Sequence, residues 1–276
     1  MRQTNLVISL IILVGVAGIS SCSQSQTEIK EKARWDSLEQ GVIAMYDTLW
    51  ARRDWELVEE FGKNMEDMLR DTMTFTYPFD SLRNHIRLVE SDDKRVRIYW
   101  WIDPTSGSWR SYPAIIQSRS PSGQIHVQNA EVFYEENYFP DNAFQGLYHL
   151  RDSLYLVLSS KSFSTIMPSQ CMFGYVLTDT GLRMAENLFI DPEGDTLMST
   201  IFIDRLWYFE NKEKFNNTIP IVTAYDSTTR TISWPGMRNR ETGESMNNNV
   251  WSDPKIEPSG DTFRLRFNGE YFDVVE

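Results

Sequence analysis

The feature that most constrains the fold is a single change of apolar period near Pro78. From Glu28 to about Arg70 the spacing is helical. Trp35, Leu38, Val42, Met45 and Leu49 follow intervals of 3, 4, 3 and 4, and after Ala51 to Asp54 a second series, Val58, Phe61, Met65 and Met68, runs 3, 4 and 3. This predicts two helices joined by a short turn. Asp54 is placed to cap the second by accepting from its free N–H groups, with Glu56, Glu59 and Glu60 near the positive end of the macrodipole. After Pro78 the period becomes two. In Lys94 to Trp101, Val96, Ile98 and Trp100 fall on one face and Arg95, Arg97, Tyr99 and Trp101 on the other, so the first set is expected in the core.

Further strands are expected at Ala114–Gln117, Ile125–Val132, Leu154–Ser159, Phe173–Leu177, Thr200–Ile203, Ile219–Tyr225 and Thr231–Trp234, separated by turn-rich connectors. Asn268-Gly269 signals a two-residue hairpin turn, which would face Leu265 with Phe272, Phe263 with Val274 and Arg264 with Asp273. Three stretches, Ser120 to Gln128, Asp191 to Ser199 and Glu257 to Leu265, share a Pro-x-Gly core, which reads as three hairpin turns. The fold class is mainly β: an N-terminal helical hairpin followed by an antiparallel β domain, either propeller-like or a large sandwich or curved sheet. β units beginning near residues 95, 148, 200 and 251 suit propeller blades by spacing, although no Gly-His or Trp-Asp signature recurs.

The N-terminus speaks of location. Met1 and Arg2 precede an apolar run from Leu6 to Ile19, too short for a spanning helix, and then comes Ile19-Ser20-Ser21-Cys22, a lipobox. Residues 1–21 therefore read as a lipoprotein signal peptide, 22–28 as a tether, 29–72 as the helical hairpin and 73–276 as the β domain. Cys22 would carry the lipid, and the membrane would be met through that anchor. Ser23, in place of an Asp, points to the outer membrane, with the periplasmic side favoured and surface display as the alternative.

Removing residues 1–21, which hold Arg2 and no acid, moves the formal charge from −12 to −13, and so acidic a chain lacks the basic field that nucleic-acid phosphates require. Once Cys22 is acylated, Cys171 is the sole thiol left, so no intramolecular disulfide is expected. Apolar neighbours make Cys171 a core residue.

Phe79 to Leu82, Ser91 to Trp101 and Tyr112 to Gln117 resemble segments of a group of Bacteroidota lipoproteins and secreted proteins with a helical N-terminal region and a β-rich remainder. Where the group ends its strand in Trp-Asp and a Gly-Gly-Thr turn, this chain has Trp101-Ile102-Asp103-Pro104-Thr105. The resemblance implies an envelope location and that architecture, and supplies no catalytic residue.

Little else in the sequence is chemical. His85, His126 and His149 show no metal-ligand spacing, and phosphate-loop and Rossmann fingerprints are absent, so no cofactor is expected. Ser91-Asp92-Asp93-Lys94 has Ser-x-x-Lys spacing but precedes a strand rather than opening a helix. Asp191 and Asp195 are weak metal candidates, since the Gly of their loop stands at the wrong position for an EF-hand. Arg97, Tyr99, Trp101, Trp109 and Tyr112 are the candidate ligand platform, with a second core face as the competing reading. The leading expectation is a lipid-anchored envelope protein with a non-catalytic binding or assembly role and an unknown protein partner. The alternatives are a glycan-binding lipoprotein of a polysaccharide-uptake system and a hydrolase whose two carboxylates converge in one cleft.

Overall fold

The computed structural model describes residues 29–107, 111–130, 143–162, 168–190, 196–204, 211–215, 221–243, 245–246 and 256–275. Two helices come first, as the spacing predicts: α1 over residues 29–52 and α2 over Trp55–Leu69. Asp54 caps α2, its Oδ1 accepting from the Glu56 N–H at 3.1 Å. Leu49, Phe61, Met65 and Leu69 are fully buried, so the hairpin presents one apolar face to the sheet beneath it.

Sixteen strands follow among the described residues, arranged in three stacked antiparallel sheets. The first is a meander of β1 (Arg87–Glu90), β2 (Val96–Trp100), β3 (Ala114–Arg119) and β4 (Ile125–Asn129). The second has the order β11-β7-β6-β5, built from β5 (Ala143–Arg151), β6 (Leu154–Ser162), β7 (Pro168–Thr178) and β11 (Thr200–Asp204), with β8 (Gly181–Met184) also on β7. The third runs β10-β9-β16-β15-β13-β12, from β9 (Phe189–Ile190), β10 (Leu197–Met198), β12 (Ala224–Asp226), β13 (Thr231–Asn239), β15 (Ile256–Phe267) and β16 (Phe272–Val274), with β14 (Ser245–Met246) on β13. Among the described residues only the β9–β16 pair is parallel.

Three apolar cores glue four layers together. One joins the helices to the odd-numbered face of the first sheet, through Phe61, Met65, Phe79, Tyr99, Trp101 and Ile115. The next lies between the first and second sheets, where Val96, Ile98 and Ile116 meet Val157, Phe173 and Tyr175. The last, with Leu156, Leu158, Met172 and Ile203 against Ile232, Trp234, Leu265 and Phe272, joins the second sheet to the third. β2 and β3 are thus covered on both faces, and the sandwich form of the expectation is the one adopted.

The propeller form is not found among the described residues. A blade is made from consecutive strands around a central axis, but here β9 and β10 join the third sheet before β11 returns to the second, and the sheets meet face to face. The near-equal spacing does not correspond to a structural repeat, since the strands run from two residues (β9, β10) to twelve (β15).

The turns divide. Ser120 to Gln124 closes a hairpin between β3 and β4, with Gly123 at φ 89° and its N–H bonded to the Ser120 carbonyl. Glu257 to Leu265 is not a hairpin: it lies inside β15. Pro258 pairs with Met237 and Thr262 with Pro235, leaving Ser259 to Asp261 as a bulge that Gly260, at φ 93°, makes possible. For Asp191 to Ser199, β9 and β10 pair on either side of the loop, but Asp191 and Asp195 lie outside the described residues.

At the C-terminus the observed register is Leu265 with Val274, Arg266 with Asp273 and Phe267 with Phe272. The expected faces hold while the pairing slips by two. Asn268 does not take the positive φ of a type I′ turn; its side chain instead accepts from the N–H groups of Glu270 and Tyr271, giving a four-residue loop.

Tight packing at one strand gives a test. A Cβ on Gly174 of β7 would lie 2.5 Å from Leu188 Cδ2 and 2.9 Å from Ala185 Cβ, both on buried residues. Gly174→Ala is expected to cost about 1–3 kcal/mol of stability by overpacking. A chemical denaturation midpoint no lower than wild type would contradict that packing.

Candidate functional site

Buried carboxylates on a helix are rarely neutral in their consequences, and α1 carries one. Lys32, Trp35, Asp36 and Glu39 follow intervals of 3, 1 and 3, which puts them on one side of the helix. That side faces the segment between α2 and β1. Asp71 caps a short 3-10 turn, Thr72–Phe75, by accepting from the Met73 N–H, and the chain then runs through Tyr77 and Pro78 to a second 3-10 turn, Leu82–Asn84. Phe79, at φ 53°, turns the chain between them and is buried against Tyr77 and Tyr99.

Between α1 and this segment lies a cavity of about 620 Å³. Trp35, Met73, Tyr77 and Pro78 supply apolar walls; Glu31, Asp36, Glu39 and Asp80 supply carboxylates. The Tyr77 hydroxyl sits 2.6 Å from Asp36 Oδ1 and 2.9 Å from Glu39 Oε2, while Glu39 Oε1 accepts from the Leu82 N–H at 2.7 Å. Hydrogen bonds from Tyr77 and Lys32 hold the Asp36 carboxyl below its ordinary range. Burial and the two carboxylates push the Tyr77 phenol well up, so it stays a neutral donor.

Hydrolysis by this carboxylate pair is disfavoured by geometry. A glycosidase needs the space between its two acids for the anomeric carbon or a water. Here the Tyr77 hydroxyl fills it, touching both. What remains is a binding pocket of ordinary ligand size with an apolar wall and a few placed polar groups.

The sequence-predicted platform does not form. Tyr99 and Trp101 are 0 % and 2 % exposed, covered by the helical hairpin, with Phe61 edge-on to Trp101 at 5.0 Å. Burial pushes the Tyr99 phenol up to about 12, against the pull of neighbouring Arg97. Arg97 is itself buried, its Nε on Glu90 and its Nη1 on the carbonyls of Thr74 and Tyr77. Tyr112 packs edge-on to Trp100, whose side chain belongs to the opposite face of β2, and Trp109 lies outside the described residues. Period two identified the second face correctly; the hairpin that covers it turns that face into core.

The other candidates are structural. Ser91 is buried and its Oγ lies 2.7 Å from Asp93 Oδ1, while Lys94 reaches Glu90, so the Ser-x-x-Lys pair points apart. Asp93 also accepts from the Tyr155 hydroxyl at 2.8 Å, and Asp92 from the His149 N–H, which fastens the β1–β2 turn to the second sheet. His85 sits 3.4 Å from Asp47, and His126 is partly buried on β4. Among the described residues no three His, Cys, Asp or Glu side chains gather as metal ligands. Cys171 is buried in the core between the first two sheets.

Sequence reasoning missed the pocket because its decisive group, Tyr77, is 41 residues from Asp36 and 38 from Glu39. The signal present was a helix face bearing Trp35 and Glu39, an acid among core positions. No protein-family model, curated protein or solved structure matches this chain.

Proposed function

We propose that this is a lipid-anchored cell-envelope protein with a non-catalytic binding role, its ligand site being the pocket between α1 and residues 73–81. The lipobox Ile19-Ser20-Ser21-Cys22 carries the reading. The polar segment 22–28 spans at most about 25 Å when extended, so acylation at Cys22 would hold a domain that begins with α1 against the membrane surface. Among the described residues no helix is long and apolar enough to cross a membrane. Ser23 favours the outer membrane, and the lack of a dense acidic run just after Cys22 favours its periplasmic side. Membership of the Bacteroidota lipoprotein group belongs to the same proposal, supported by Ser91 to Trp101 and by the helical start and β-rich remainder.

The test is metabolic labelling with an alkyne fatty acid in a bacterial host. Label is expected on the wild-type protein, which sediments with membranes, and is expected to vanish in Cys22→Ala. Persistence of label in Cys22→Ala, or its absence from wild type, would refute the anchor.

A further inference from the structure

The outward side of the helical hairpin is left open. A groove of about 570 Å³ runs between α1 and α2, with Val42 at its floor and Leu38, Met45 and Met68 along its walls. Leu38 belongs to the apolar series of α1, yet it is 41 % exposed, and Met45 and Met68 are half-buried. The two helices beside the groove differ in charge. Opposite the buried side of α1 stand the exposed residues Ser37, Gly41, Ala44, Thr48 and Ala51, none of them charged, with Arg34 and Arg52 at either end. The acids Asp36 and Asp47 lie on the other flank, at Tyr77 and His85. On α2 the exposed residues from Glu56 to Asp67 include the carboxylates Glu56, Glu59, Glu60 and Asp67, against Lys63 as their only cation. Glu56 and Glu60, four residues apart, repel each other, and among the described residues neither has an ion-pair partner.

A face that is uncharged to basic on one helix and acidic on the other is complementary to itself. In a two-fold dimer, a dyad parallel to the helices lays α1 of each copy over α2 of the other and brings the two grooves together. A dyad across the helices would lay α2 on α2 and set their carboxylates against one another. The area suffices. With α1 about 36 Å long, α2 about 22 Å and each about 10 Å wide, the face measures about 600 Å² per copy. The total, about 1,200 Å², reaches the range of specific interfaces. The parallel dyad also puts both α1 N-termini, and so both tethers, at one end of the dimer; that feature alone rests on the proposed lipid anchor.

We propose that a second copy of this chain covers the groove, in a dimer whose dyad runs parallel to α1 and α2. The Leu38 side chains of the two copies meet at its centre, and the charged residues form its rim. Two ion pairs fix which residues face each other. Arg52 lies on Asp54 at the turn and Arg34 on Asp71 at the open end, so residues of α1 and α2 equally far from the turn are level. Thr48 is therefore within one turn of the level of Glu59 and Glu60. A dyad parallel to the helices preserves these levels, so Thr48 of one copy lies over Glu59 and Glu60 of the second. A phospholipid surface is a poorer occupant, because its phosphates would meet the carboxylates of α2.

Sedimentation equilibrium of the full mature chain tests this, both lipidated in detergent and unlipidated without it. A dimer is expected in both forms, so the result does not depend on the anchor. Leu38→Glu puts two like charges at the centre of the interface and is expected to raise the dissociation constant roughly tenfold or more. Because Leu38 is already 41 % exposed, the circular dichroism of that variant should match wild type. The charge of the rim tests the arrangement. Thr48→Lys, set over Glu59 and Glu60, is expected to tighten the dimer roughly threefold, and Thr48→Glu to weaken it by a similar factor. Weakening by both would overturn the pairing of α1 with α2. A dimer unaffected by Leu38→Glu would use another surface, and a wild-type monomer would overturn the proposal. So would an unlipidated monomer that sediments with phosphatidylethanolamine vesicles and loses them in Leu38→Glu, since the face would then belong to lipid.

Discussion

Replacing Arg97 with alanine is expected to lower the free energy of unfolding by about 3–5 kcal/mol, read as a lower urea midpoint at unchanged slope. Its side chain is 8 % exposed and serves three acceptors: Glu90 Oε1 at 2.6 Å, the Tyr77 carbonyl at 2.9 Å and the Thr74 carbonyl at 3.2 Å. The guanidinium also lies 5.5 Å from the centre of the Phe75 ring. Truncation would leave Oε1 of the largely buried Glu90 carboxylate, whose Oε2 keeps Lys94, and two carbonyls without their donor. Burial alone would raise the Glu90 carboxyl, but hydrogen bonds from Lys94 and Arg97 outweigh it and hold it below the ordinary carboxylate range.

Lys94 supplies the internal control. It reaches the same Glu90 at 2.5 Å, but its side chain is 70 % exposed, so Lys94→Ala is expected to cost only about 0–1 kcal/mol. Equal losses in the two variants would show that the burial of Arg97 adds nothing. The argument also links stability to the site, because Arg97 pins the backbone at Tyr77, whose hydroxyl holds Asp36 and Glu39. Arg97→Ala should therefore loosen the pocket as well as the fold.

What could be read from the chain follows from where its information is local. The helical pair and the Asp54 cap were legible because a period and a cap each occupy a few consecutive residues. β5 was missed as a strand from Ala143 because its register shifts between Phe144 and Gly146 and again between His149 and Arg151, which breaks the alternation that marks a strand. β1 and β8, four residues each, are too short to show a period. Tyr99 and Trp101 share a face by sequence, but whether water or a helix lies on that face depends on contacts with Phe61 and Phe79. The C-terminal hairpin makes the same point at a finer scale: a register error of two keeps every side chain on its own face, so the apolar pattern alone cannot detect it. The pocket was least legible, since its geometry depends on a phenol brought back to α1 from beyond α2.

The third layer depends on Trp234, and its truncation tests whether the stack is one cooperative unit. Trp234 is 1 % exposed on β13, opposite Phe263, with the two rings 4.7 Å apart, and it belongs to the core that joins the second and third sheets. Trp234→Ala is expected to cost about 3–5 kcal/mol, from lost burial and the cavity left behind. Its indole N–H, however, is buried without a hydrogen-bond partner among the described residues, which is itself unfavourable by about 1–3 kcal/mol. Trp234→Phe removes that donor along with part of the ring volume, so the two effects oppose each other and the net change should stay within about 1.5 kcal/mol. If Phe costs as much as Ala, the indole N–H is satisfied and the packing account is wrong. Hydrogen exchange on the Ala variant carries the argument to the layers. Because Leu156, Leu158 and Met172 in the second sheet share this core, protection should fall in β6 and β7 together with β13 and β15. Loss confined to the third sheet would show that it unfolds as a separate unit, leaving the helical hairpin, the first two sheets and the pocket intact.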